Sequence, residues 1–197
     1  VVDPNYAGPL FVDAVNTWFN RYGQLYLGAD GTVWYVNSVP DEMERVPGET
    51  SDIPYFTGVT QIVSDGGFML AVRFDGTIWV WGNVPGQAEA VERPFQVVGL
   101  DADDFKQIIA VNGTLFFLHT DGTVSSWGVD TALTGTGVEH VNLSAIPGSS
   151  NVVELAGNSF SVLALKSDGT VWGWGDNTDE LLGVSRDDMS SSNTPMQ

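Results

Sequence analysis

The sequence predicts an all-β chain, a β-propeller of about four-stranded antiparallel blades with four repeats present, hence a partial or small propeller. Three observations predict it. Asp-Gly-Thr recurs at 30–32, 75–77, 121–123 and 168–170, in steps of 45, 46 and 47 residues. Strand-forming runs flank each copy: QLYLGA, FMLAVRF, LFFLHT and VLALKS before it, VWYVN, IWVWG, VSSWG and VWGWG after it. No long segment shows convincing helical periodicity, and DAVNTWFNRYG, the one ambiguous stretch, aligns with strands in the other copies.

Each unit then follows in order. A first strand is expected in VTQIVSDGG, FKQIIAVNG and NVVELAGNS, with FVDAVNTWFNRYG as the diverged first copy. The hairpin comes next. Asp-Gly supplies the positive-φ positions of its tight turn, because glycine has no Cβ to clash. Residues two apart share a face of a strand, so Trp79 points with Trp81 and Trp172 with Trp174. Trp127 aligns with the second of the pair and Trp34 with the first. Rings on one face need a facing layer that a lone hairpin lacks, and the neighbouring repeat provides it. The glycine after tryptophan, at Gly82, Gly128 and Gly175, permits close backbone approach or ends the strand. Prolines at Pro9, Pro54 and Pro94 open units, which divides a single domain, 1–197, into repeats 9–53, 54–93, 94–146 and 147–194. The tail 195–197 resembles Arg93–Gln96 and so begins a further unit.

Composition narrows the function. The 197 residues carry a net charge of −18 and only two lysines, Lys106 and Lys166. Such a surface repels a phosphate backbone, so no nucleic-acid partner is expected, and no apolar run reaches the roughly 20 residues of a membrane span. Without cysteine there is no disulfide, thiolate metal site or thiol nucleophile. The N-terminus has no basic start before an apolar stretch, so no signal peptide is visible.

Candidate chemistry is sparse. His119 lies in a strand before a turn and His140 in a polar connector, and structural or solvent roles are expected for both. Gly157–Ser161 lacks the final glycine of a nucleophile elbow, and no phosphate loop occurs. Asp101–Asp104, Asp176–Glu180, Asp187–Asp188 and Asp41–Glu44 read as solvated loops, although the first two could offer oxygens to calcium. Asn112 and Asn142 open glycosylation sequons. No catalytic, cofactor-binding or metal-binding residue is singled out, and no cofactor is expected.

The string LALKSDGTVWGWGDNTDELLG, Leu163 to Gly183, resembles the repeat of the regulator-of-chromosome-condensation family. The resemblance extends over four tandem units, best in the fourth and weakest in the first. The family's histidine is absent, its place held by Phe68, Leu115 and Phe160, and its Gly-Gln-Leu-Gly end survives only as Glu180–Gly183. The family usually closes seven blades, which at a period of about 45 needs roughly 300 residues or more. A fragment of a longer propeller, a partial propeller covered by another subunit, and a self-closing ring all fit. The resemblance implies a non-enzymatic interaction or structural module that presents propeller loops to a protein partner or to neighbouring subunits. A virion (phage) or extracellular cell-surface structure is the preferred setting. Guanine nucleotide exchange on a small GTPase and a propeller glycosidase are the alternatives.

Overall fold

The Asp-Gly-Thr tripeptide closes a three-residue hairpin loop, and the rest of each unit is built outward from that hairpin. The computed structural model describes residues 10–16, 24–36, 43–48, 55–64, 66–158 and 160–197. Among them lie four antiparallel sheets of four strands, each in sequence order. Sheet 1 is β1 (Phe11–Asn16), β2 (Gln24–Gly28), β3 (Val33–Val36) and β4 (Met43–Arg45). Sheet 2 is β5 (Val59–Ser64), β6 (Phe68–Arg73), β7 (Thr77–Gly82) and β8 (Val91–Asp101). Sheet 3 is β9 (Phe105–Val111), β10 (Thr114–His119), β11 (Val124–Gly128) and β12 (His140–Ala145). Sheet 4 is β13 (Val152–Gly157), β14 (Ser161–Lys166), β15 (Val171–Asp176) and β16 (Ser191–Met196). The first strands touch in succession, β1 with β5, β5 with β9 and β9 with β13, as the innermost strands of a propeller do.

The turns differ from expectation in one respect. Gly31, Gly76, Gly122 and Gly169 take φ of 78°, 81°, 85° and 85°, but their aspartates do not adopt positive φ. The glycine N–H returns to the residue three before it, as from Gly169 to the Lys166 carbonyl at 2.9 Å. This is a three-residue loop ended by a left-handed glycine, so only one position requires glycine. The aspartate serves another purpose. Its Oδ1 accepts both the backbone N–H and the hydroxyl of the threonine two residues on, as for Asp75 and Thr77 at 3.1 and 2.6 Å. That hydroxyl in turn accepts the indole N–H of Trp34, Trp79 or Trp172 at 2.8, 2.8 and 3.1 Å. The recurrent Asp-Gly-Thr-x-Trp is therefore a donor chain from ring to hydroxyl to carboxylate. A cation covers each of these rings: Arg45 over Trp34 at 4.6 Å, Arg73 over Trp79 at 4.6 Å and Lys166 over Trp172 at 4.1 Å.

The second tryptophan of each pair turns to the sheet before it. Trp81 donates to the Tyr35 hydroxyl at 2.6 Å and Trp174 to the Leu133 carbonyl at 2.6 Å. Trp127 packs edge-on against Phe68, with ring centres 5.1 Å apart, and its buried indole N–H finds no partner among the described residues. Among the described residues the core is accordingly three clusters, one between each pair of successive sheets. The glycine after the second tryptophan permits close approach: a Cβ on Gly82 would stand 2.1 Å from the Gly67 carbonyl oxygen, and one on Gly175 2.4 Å from that of Phe160.

Of the repeat divisions, the one at Pro94 passes through a fourth strand. Pro94 lies in β8 and Pro195 in β16, where Phe95 faces Val80 and Met196 faces the equivalent Gly173. The tail resembling Arg93–Gln96 thus occupies the same place in its sheet. Pro9 and Pro54 lie outside the described residues, as do Asp41, Glu42 and the segment 17–23 of the diverged first copy.

Candidate functional site

The residues the sequence offers for chemistry lie apart from one another, and most are engaged in holding turns. His140 is not in a loose connector. It begins β12, is only 6% exposed, and binds hydroxyls through both ring nitrogens: Ser126 at Nδ1, 2.7 Å, and Thr136 at Nε2, 2.8 Å. Burial holds its pKa below the ordinary 6.5, opposed by hydrogen bonding at Ser126. The neutral ring suits the fold, so as pH falls through about 6.5 the unfolded chain takes up the proton first. Stability from this residue is full above that pH and is lost between it and the lower folded value. Urea midpoints should therefore fall from pH ~8 to pH ~5.5, and His140→Gln should flatten that part of the slope. An unchanged slope in the variant would refute the assignment.

His119 ends β10, with Nε2 2.8 Å from the Ser125 hydroxyl and its ring 4.9 Å from that of Phe105. The turn carboxylates Asp30, Asp75, Asp121 and Asp168 are held below the usual range, first by the threonine hydroxyl and then by its backbone N–H. Asp176 is lowered in the same way by Thr178.

Two of the acidic clusters supply capping carboxylates, Asp101 and Asp176. Asp101 ends β8 and accepts from the Asp103 N–H at 3.0 Å, capping a single 3-10 turn at Ala102–Asp104. Asp176 ends β15, and Asp187 takes part in a turn with the Ser185 hydroxyl at 3.3 Å. Among the described residues no three histidine or acidic side chains gather in a metal-binding arrangement. In Gly157–Ser161, Asn158 accepts from the Ser161 N–H at 2.7 Å and the Ser161 hydroxyl donates to the Asp176 carbonyl at 2.6 Å, while Ser159 lies outside the described residues. Of the sequon asparagines, Asn112 takes φ 46° in the β9–β10 turn and donates to Asp130 at 3.0 Å, and Asn142 is exposed on β12.

Sequence reasoning missed Asn177. Fully buried, it donates to the carbonyls of Val184 and Met189 at 3.0 and 2.7 Å and accepts the Leu182 N–H at 2.9 Å. It fastens the long β15–β16 connection from within. Its one signal was its place after the tryptophan-glycine strand, where the family repeat also carries asparagine.

One open groove has the character of a contact surface. It encloses about 320 Å³ between the 84–87 turn, β8 and β12. Val84, Pro85, Phe95, Val98, Trp127 and Val141 supply apolar surface, and Gln87, Gln96 and Asn142 supply amides. Among the described residues no acidic or basic side chain lines it, a contrast with a chain of net charge −18.

Comparison with known proteins agrees with this architecture. The repeat model described as "Regulator of chromosome condensation (RCC1) repeat" matches residues 152–180. No curated protein sequence matches significantly. The structure of human WBSCR16 is similar at TM-score 0.67 and 20% identity, over 94% of this chain and 52% of that one. That of Kap60 bound to yeast RCC1 (Prp20) is similar at TM-score 0.69 and 17% identity, over 94% and 48%. Prp20p of Saccharomyces cerevisiae, described with its binding properties to Gsp1p and histones, gives TM-score 0.66 and 18% identity over 87% and 47%. The chain spans about half the length of the solved structures it matches. Three strands of its fourth sheet thus lie in a segment that matches a regulator-of-chromosome-condensation repeat, and its four sheets share the propeller fold of these structures.

Proposed function

We propose that the chain is a non-enzymatic module that works through protein contacts, as a structural component of a virion or cell-surface assembly. The observation that carries this reading is the uncharged groove between β8 and β12, set on a strongly acidic chain. Stiff sheets hold it, and loops on a rigid frame are the usual place for recognition. The groups that could serve catalysis support the same reading, because they are spent on structure: both nitrogens of His140, the turn aspartates, and three cations laid over indoles. The repeat match and the propeller fold are consistent with an interaction module. No catalytic, cofactor or metal residue is assigned, and nucleic acid is not proposed as a partner, on the charge.

Hydroxyl-radical footprinting tests the proposal. Phe95, Val98 and Val141 should be protected in the native assembly relative to the isolated chain. Equal reactivity in both states would overturn it. The fold shared with Prp20p, which is described with Gsp1p, motivates a second reading as an exchange factor. Faster GDP release from a small GTPase on adding the chain would replace the first reading with that one.

A further inference from the structure

Trp81 and Trp174 each find an acceptor at 2.6 Å, the Tyr35 hydroxyl and the Leu133 carbonyl. Trp127, their counterpart in sheet 3, is 6% exposed, and its indole N–H is unpaired among the described residues. A buried donor without an acceptor is costly and calls for a physical reason. The reason lies in the connections between third and fourth strands. Leu133 belongs to the β11–β12 connection, 129–139. There Asp130 Oδ1 accepts the Ala132 N–H at 3.0 Å, and the Asp130 carbonyl accepts those of Leu133 and Thr134, both at 3.0 Å. The turn so formed places Leu133 in the core and offers its carbonyl to Trp174. Asn177 clasps the β15–β16 connection, 177–190, in a similar manner. The β7–β8 connection, 83–90, is shorter than both. Three residues after the tryptophan, where Asp130 and Asn177 stand in the other two, it carries Val84. That side chain has no acceptor to clasp a turn and packs into the core with Trp127. Its carbonyl accepts the Gln87 N–H at 3.1 Å.

The uncharged groove of about 320 Å³ opens where this connection falls short, with Trp127 in its lining. Its walls, β8 and β12, are the outermost strands of sheets 2 and 3, so each has a main-chain edge that no strand of its own sheet pairs. The lining selects an occupant. Val84, Phe95 and Val141 offer apolar surface, and the amides of Gln87, Gln96 and Asn142 both donate and accept. That combination fits a peptide main chain bearing an aliphatic side chain. An anionic ligand meets no cation among the described lining residues and is repelled by the chain's net charge of −18. A cationic one meets no carboxylate there. A sugar would stack on an open aromatic face, and the Trp127 ring is covered.

We propose that this groove binds an extended, uncharged peptide segment of a partner protein, with an aliphatic side chain against Val84, Phe95 and Val141 and a main-chain carbonyl accepting the Trp127 N–H. This names the partner chemistry of the contact surface and rests on that reading of the groove. The segment supplies to Trp127 from outside what 130–134 supplies to Trp174 from within. The free edges of β8 and β12 give its main chain further partners, as in strand addition. The N–H is covered in the free chain, so its pairing requires the unclasped 84–87 turn to give way. Binding is therefore coupled to that turn, and the Gln87 N–H moves with it.

The probe is the neutral peptide acetyl-Thr-Ala-Leu-Thr-Gly-Thr-amide, copied from 131–136. It is titrated to millimolar concentration into the nitrogen-15-labelled chain, and indole and backbone N–H signals are followed by NMR. The Trp127 indole signal is assigned by its loss in Trp127→Phe. A saturable downfield shift of that signal is expected, together with a shift of the Gln87 N–H. The same peptide with glutamate in place of leucine should leave both unmoved. Val141→Glu sets a carboxylate in the groove at a position 42% exposed. It should keep the parent circular dichroism and raise the peptide Kd at least about tenfold. Should that variant misfold, Val98→Glu, at a position 89% exposed, makes the same test. An unmoved Trp127 signal, or an equal shift with the glutamate peptide, would overturn the proposal. So would a saturable shift with maltohexaose and none with the peptide, which would make the groove a sugar site. Footprinting of the native assembly reads separately. Protection there without peptide binding keeps the contact surface and removes the peptide, and peptide binding without protection does the reverse.

Discussion

Trp174→Ala is expected to cost about 3–5 kcal/mol, in the range of large buried residues cut to alanine. The ring is 1% exposed, packs edge-on against Phe116 with centres 5.9 Å apart, and donates to the Leu133 carbonyl at 2.6 Å. Both contacts reach sheet 3, so the substitution opens the interface between sheets 3 and 4 and leaves a buried carbonyl without its donor. Trp172→Ala should cost less. That ring is half-buried, and its partners Thr170 and Lys166 belong to its own hairpin. Urea denaturation of both variants checks the order. A loss below about 1 kcal/mol for Trp174 would mean the sheets are not held by their second tryptophans.

Gly82→Ala should be about as damaging, and Gly169→Ala much less so, although both glycines sit at φ +85°. At Gly169 the new methyl meets nothing within 4 Å, so only the left-handed backbone penalty of roughly 1–2 kcal/mol remains. At Gly82 the Cβ would stand 2.1 Å from the Gly67 carbonyl oxygen and 2.5 Å from Met69 Cε. The oxygen is backbone and cannot rotate away. Overpacking of this kind adds roughly 1–3 kcal/mol or more to the backbone penalty, for a total of about 3 kcal/mol at least. Equal urea midpoints for the two variants would show that the close approach at Gly82 is easily relieved.

These two residues also show how far the sequence could be read. The recurrence of Asp-Gly-Thr announced four hairpins, and tryptophans two apart announced rings that needed a neighbouring layer. Both follow from local geometry, since a turn demands glycine and a strand alternates its faces. The glycine after tryptophan was legible as a point of close approach, but the Gly67 carbonyl it approaches was not, because that contact joins two strands through a register no single strand encodes. The aspartate was read as a second positive-φ residue, whereas it accepts the threonine that accepts the indole. The residue types were visible, but the direction of the hydrogen bonds was not.

The candidate site was less legible. His140 looked like connector because charge and polarity around it suggested solvent; the β11–β12 pairing buried it instead between Ser126 and Thr136. Asn177 looked like one more loop polar residue, and only the path of 178–190 around it made it a buried clasp. The uncharged groove unites residues from 84 to 142, which come together only where sheets 2 and 3 meet.

By itself the sequence determined the strand content, the turns, the period and, through the lack of cysteine, that no disulfide can form. Those are properties of short segments or of totals, and short segments impose them through sterics and alternation. Tertiary structure alone decided which tryptophan crosses to the preceding sheet, which histidine is buried, and that Val171 lies open where Val33, Ile78 and Val124 are covered. The four positions are nearly identical in residue type, so nothing in composition separates them. What separates them is whether another sheet stands in front.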